Sequence, residues 1–147
     1  MRKNIPSLLI RVIVGLVFFT EGLLKFLQPG ELGVGRFERI GLPIPHLLAP
    51  FVGGVEMVGG AALIFNLYAG DAALALLVVI AAAIATTKLP ILFGHSIGPF
   101  GAPKLGHYGL LSFLHESRTD LSMLFCTVAI LLDNGLQLFK KKKWYAR

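Results

Sequence analysis

The stretch Ser7–Leu27, SLLIRVIVGLVFFTEGLLKFL, decides the fold of this 147-residue chain. It has the length a helix needs to cross a bilayer, about 20 residues at a rise of about 1.5 Å each. Yet it carries Arg11, Glu21 and Lys25 inside its apolar run. A charge at membrane depth is costly, so such residues turn toward a protein interior and find partners there. One long apolar helix with ionisable groups on it therefore predicts companion helices.

Three further stretches supply them: Leu47–Tyr68, Ala72–Leu92 and Leu121–Phe139. With Ser7–Leu27 they predict an all-α integral membrane four-helix bundle that forms a single domain over residues 1–147. Composition agrees. Hydrophobic residues make up 55% of the chain and charged residues 15%, against about 25% charged in a soluble domain. The first stretch reads as a retained helix rather than a cleaved signal, because charges interrupt it and no small-x-small site follows.

The net charge of +6 does not indicate nucleic acid, since much of it lies in Lys140–Lys143 beside a span. A polybasic run there is read by topology and anionic lipid. Arg2, Lys3, Lys140–Lys143 and Arg147 gather at the chain ends, whereas Arg36, Arg39, Lys104 and Arg118 in the other loops are offset by Glu31, Glu38 and Glu116. The positive-inside rule then predicts a multi-pass plasma-membrane protein with both termini cytoplasmic. Trp144 and Tyr145 fit an interfacial anchor. The tight connection, around Ala69-Gly70-Asp71, falls inside; the long ones, about 28–46 and 93–119, fall outside. Loops of that length tend to carry function.

The polar residues inside the spans are the candidate site. On the first helix Arg11, Phe18 and Lys25 recur every seven residues, and Glu21 stands four before Lys25, the favourable order for a pair. On the second, Ala49, Gly53, Glu56 and Gly60 share a face, so Glu56 stands in a groove of small residues that admits a close neighbour. On the third, Ala81, Ala85 and Lys88 do the same. By helical rise Glu56 lies near the midplane and Glu21 about 6 Å further out. Glu21, Lys25, Glu56 and Lys88 thus form a predicted polar cluster in the outer half, with Arg11 and Asp133 as secondary members toward the inner side. A pairing of Arg11 with Asp133 is one expectation.

Such a cluster serves either as an ion-pair network that fixes helix register, or as a site for proton transfer or a small polar headgroup. Glu56, the deepest, is the best single candidate. No catalytic residue is assigned. The single Cys126 excludes an internal disulfide and a CxxC pair, and it is expected to pack against a neighbouring helix. His46, His95, His107, His115 and Glu116 match no metal-ligand spacing. Leu110–His115 predicts a short interfacial helix, Thr119 or Asp120 the N-cap of the last span, and Asn134-Gly135 a bend or an end.

The runs Arg11–Lys25, Phe37-Glu38-Arg39-Ile40-Gly41-Leu42-Pro43, Leu48-Ala49-Pro50, Gly53–Gly60, Thr87-Lys88-Leu89-Pro90 and Arg118–Met123 together resemble the DoxX family over most of the chain. The resemblance implies four transmembrane helices in a bacterial or archaeal inner membrane. Its charged pattern falls on Arg11, Glu21, Lys25, Glu56 and Lys88. The family takes its name from a small subunit associated with a thiosulfate:quinone oxidoreductase. What it implies is an accessory or anchor subunit of a quinone-linked or thiol-related oxidoreductase, without catalysis of its own. Quinone would be the cofactor, a redox protein at the outer face and the lipid bilayer the partners, in a homo- or hetero-oligomer. The alternatives are a small oligomeric proton-coupled carrier using Glu56 and Glu21, and a membrane-protein assembly factor.

Overall fold

A computed structural model describes residues 5–136. Seven helices occur in that range: α1 (Ile5–Leu27), α2 (Val34–Ile40), α3 (Pro45–Ile64), α4 (Ala69–Thr87), α5 (Leu89–Phe93), α6 (Leu110–Glu116) and α7 (Arg118–Asn134). Among the described residues the only β pairing is an isolated bridge, Ile97 with Phe100. Three helical stretches are long and apolar enough to cross a membrane: Ile5–Leu27, Pro45–Ile64 and Ala69–Phe93. The last expected span is α7, whose 17 residues sit at the lower limit for crossing. Its expected end at Phe139, Arg2, Lys3, the lysine run, Trp144, Tyr145 and Arg147 lie outside the described residues.

The bundle is built from two antiparallel helix pairs. In the first, α1 and α3 meet glycine to glycine. A methyl group on Gly15 or on Gly60 would lie 2.6 Å from the other's carbonyl oxygen, and one on Gly22 would lie 2.6 Å from that of Gly53. The steps 15 to 22 and 53 to 60 are both seven residues, so the two contacts stack along one seam. Membrane helices associate through such close packing, because lipid removes the hydrophobic drive between them. Gly59, on another side of α3, receives Leu76 of α4.

The second pair, α4 and α7, is filled by larger side chains. Ala73, Leu76 and Ile80 of α4 are buried with Met123 and Ile130 of α7, in one cluster with Val14, Phe18 and Leu63. Cys126 packs against the same cluster. Thr127 is fully buried and donates its hydroxyl to the carbonyl of Met123, 2.6 Å away, which leaves no stray polar atom there.

Several boundaries differ from expectation for identifiable reasons. Helix α4 starts at Ala69, so Ala69-Gly70-Asp71 forms its first turn rather than the connection. The chain reverses just before, where Asn66 and Tyr68 take left-handed φ values of 57° and 47°. Gly70 is needed there, since a Cβ would strike the Gly135 carbonyl. The third span breaks at Lys88 because Pro90 has no N–H to continue the ladder. The N-cap of α7 is Ser117, fully buried, rather than Thr119 or Asp120. Helix α6 spans the predicted Leu110–His115 and one residue more, and α7 ends at the predicted Asn134-Gly135.

The long connection after α1 holds a helix that its Gly and Pro content concealed. Helix α2 buries Phe37 and ends on Gly41 at φ 87°. Arg39 ties the preceding loop down by donating to the carbonyls of Gly30 (3.0 Å) and Glu31 (2.9 Å). Gly33 lies against the Lys25 carbonyl, where a Cβ would come within 2.4 Å. Helix α2 thus caps one end of the α1/α3 pair, the capped end; the α3–α4 connection marks the other, the turn end.

Candidate functional site

At the capped end, Lys25 of α1 reaches across to Glu56 of α3, Nζ to Oε2 2.6 Å. The two side chains are 11% and 7% exposed. This is the closest ion pair among the described residues, and its partners were both predicted site residues. Their match was not. The i, i+4 spacing paired Lys25 with Glu21, yet Lys25 donates only to the backbone carbonyl of Glu21, at 3.4 Å. The reason is burial: Glu56 stands on the inward face of α3 and has no other cation in contact, whereas Glu21 is exposed. The glycine seam brings α3 close enough for a lysine to span the gap.

Two more charges act on Glu56 through space, Glu21 and Arg36. Arg36 belongs to α2 and was missed as a site residue because its stretch read as loop. The signal was present: Phe37 and Ile40 are three apart and Gly41 follows, the pattern of a short helix that buries one face and stops on glycine.

Lys88 does not join this group. Its ammonium lies 3.4 Å from Asp120 Oδ2 in the first turn of α7, with the side chains 19% and 29% exposed. Lys88 still closes the α4 ladder on Ile84, but Ala81 and Ala85, with which it shares a line, are both exposed, so that line does not face the α1/α3 pair. Of the predicted four, Lys25 and Glu56 meet, Lys88 pairs instead with Asp120 in the other helix pair, and Glu21 stays outside both contacts.

The secondary residues sit at the turn end and are not paired with each other. Arg11 donates to the Asn66 side chain in the α3–α4 connection. Asp133 accepts from the Ser7 hydroxyl at 2.7 Å. Ser7 and Arg11 are one turn apart on α1, so that helix fastens both the connection and the end of α7. Of the histidines, His46 lies 3.3 Å from Glu38 Oε1, both exposed. His95 is held near its own backbone, at 3.0 Å from the Ser96 carbonyl oxygen. Among the described residues no three His, Cys, Asp or Glu side chains gather as metal ligands.

Chemically, the capped end offers a charge-neutral pair below an exposed guanidinium, beside a free carboxylate. An ammonium has three donors. One goes to Glu56, a second reaches the Glu21 carbonyl, and the third is not taken up by any described residue.

The DoxX family profile matches residues 7–89, which include Glu21, Lys25, Arg36, Glu56 and Lys88. The chain is 42% identical to an uncharacterized membrane protein of Mycobacterium tuberculosis, Rv3486, over 86% of this chain and 74% of that protein. It is 32% identical to a Bacillus subtilis protein named "Putative oxidoreductase CatD", over 79% of this chain and 80% of that one. No solved structure matches.

Proposed function

The chain belongs to the DoxX family, and from that premise we propose that it is an accessory or anchor subunit of a quinone-linked or thiol-related oxidoreductase system. It sits in the bacterial or archaeal plasma membrane with both termini cytoplasmic and the capped end outward. There it holds a redox partner and offers a polar pocket within the bilayer.

The observation that carries this reading is the buried Lys25–Glu56 contact, roofed by α2 and flanked by Arg36 and Glu21. A pair buried only to fix register is often replaceable by apolar side chains without loss. Here two further charged residues surround the pair and one ammonium donor stays available, as suits a small polar head. A quinone fits that set: Lys25 and Arg36 supply donors to a carbonyl, and Glu21 an acceptor. When bound, it would supply two-electron, two-proton chemistry. The residues of this chain bind and orient: Glu56 holds the Lys25 ammonium in place, and α2 shields both from water. The name of the Bacillus subtilis relative supports the same class.

A carrier within one chain is less well supported, because buried Val14, Phe18, Leu63 and Leu76 separate the capped-end charges from Arg11 and Asp133.

The test is purification of the intact protein in mild detergent, with co-purifying proteins and lipids identified by mass spectrometry. A stoichiometric redox protein or retained quinone is expected, with Glu56→Gln lowering the amount of quinone retained. A clean homo-oligomer with neither would defeat the accessory reading and send the question to transport assays in liposomes.

A further inference from the structure

Lys25 and Lys88 each stand against an acid; Arg11 does not. It lies six residues inside the start of α1 at Ile5, about 9 Å along the helix, and its guanidinium cannot shed its charge. All eight acids of the chain fall within the described residues, yet no ion pair with Arg11 forms among them. Its one hydrogen bond there runs from Nη1 to Asn66 Oδ1, a neutral acceptor. Its Nε is buried without a partner, alone in this among the described side-chain nitrogens and oxygens. A buried donor left unmet is costly, and so is a charge at this depth with no counter-charge. The anion has to come from outside the chain.

The contact with Asn66 prepares the place for it. A guanidinium only donates, so the Asn66 oxygen must face Arg11, which leaves the Asn66 amide hydrogens for another acceptor. With Nη1 taken, the remaining edge of Arg11 is Nε with Nη2, two parallel N–H groups spaced for two oxygens of one phosphate. Rotation of the long side chain that turns this edge outward relieves the orphaned Nε. Exposed apolar groups border the two residues: Leu8, one turn before Arg11, and Phe65 and Leu67 on either side of Asn66. A phosphate that carries acyl chains suits that border better than a free anion. In sequence Arg2 and Lys3 precede α1 and Lys140–Lys143 follow α7, and the Ser7–Asp133 contact joins those two helix ends. Basic residues at a membrane surface concentrate acidic lipid.

We propose that Arg11 and Asn66 form a binding site for one acidic phospholipid. Its phosphate takes the Nε–Nη2 edge of Arg11 and the Asn66 amide, and its acyl chains lie against Leu8, Phe65 and Leu67. The site is at the turn end and does not depend on the redox reading of the capped end.

The full chain is purified in a neutral detergent and titrated with phosphatidylglycerol or phosphatidylcholine, whose choline already neutralises its phosphate. Native mass spectrometry counts the lipids bound per chain. The first phosphatidylglycerol is expected to bind about ten-fold tighter than the first phosphatidylcholine, the ratio for one hydrogen bond to a charged group. Arg11→Gln is expected to abolish that preference. Arg11→Lys, which keeps the charge and loses the fork, should retain part of it. Asn66→Gly, which suits the left-handed φ of 57° and removes the amide, should weaken it. Glutamine at all of Lys140–Lys143 should remove the later, weaker lipids and leave the first in place. A preference that survives Arg11→Gln, or is lost with the lysines alone, is diffuse attraction and overturns the proposal. Equal binding of the two lipids overturns it as well. Displacement of the first lipid by inorganic phosphate in excess would assign the edge to a free anion and overturn the lipid as its occupant. Should Arg11→Gln fail to fold, Asn66→Gly decides, because an unchanged preference there defeats the two-residue site.

Discussion

The α1/α3 pair and the α4/α7 pair solve one problem, holding two helices together in lipid, by opposite means. The first brings backbones into contact through Gly15, Gly22, Gly53 and Gly60 and closes on an ion pair of 2.6 Å, almost wholly buried. The second fills most of its length with Leu76, Ile80, Met123 and Ile130, meets backbone to backbone only where Gly70 touches Gly135 at the turn end, and its lysine and acid stand 3.4 Å apart and partly exposed. Close approach admits no adjustment, since carbonyl oxygens cannot move out of the way of a new methyl. Side-chain packing gives more room. The first pair therefore sets the geometry of the site, and the second is free to vary around it.

The strongest challenge to this contrast is Gly60→Val. Its Cβ would meet both the Gly15 carbonyl and the Phe19 backbone, and a loss above about 3 kcal/mol is expected for overpacking that side chains cannot relieve. A thermal melt in detergent checks it; a variant as stable as the parent would mean that the seam is not what joins the helices. Next comes Glu56→Ala, which strands the Lys25 ammonium in a buried place and should cost about 3–5 kcal/mol. Joint replacement as Lys25→Met with Glu56→Leu should recover most of that, and the difference between single and double variants measures how far the pair is structural. In the other pair, Asp120→Ala should cost about 1 kcal/mol or less, as exposed pairs do. A cost equal to that of Glu56→Ala would erase the distinction between the pairs. The smallest effect belongs to Gly54→Ala, because nothing lies within 4 Å of the added methyl. Stability there should hold or rise by up to about 1 kcal/mol from helix propensity.

The helices themselves were legible in the sequence because apolar length is a one-dimensional property. So was the placement of Glu56 in a small-residue groove, since Gly53 and Gly60 lie on its own helix. What was not legible depends on the relation between helices. Local spacing paired Lys25 with Glu21, whereas the true partner is 31 residues away and is chosen by the register in which Gly22 meets Gly53. Arg11 faced Asp133 only by depth, and depth does not tell which side of a helix a neighbour occupies; Asn66 in the adjoining turn reached it first. Helix α2 escaped notice because its one legible signal, Phe37 and Ile40 three apart before Gly41, spans only seven residues among glycines and prolines. Lys88 was assigned to a continuous helix that Pro90 in fact interrupts.

The cap over the Lys25–Glu56 contact has two anchors. Gly41, at the end of α2, sits so close to the Pro99 carbonyl that a Cβ would fall 2.2 Å from it. Pro99 belongs to the connection leading from α5 to α6 and so to the α4/α7 side. The roof of the site is consequently a crossbar between the rigid half of the molecule and the yielding one. A shift of that connection, as from a partner pressing on the capped end, would be delivered through Pro99 to α2 as a lever stroke. The buried pair would feel it without either of its own helices having moved.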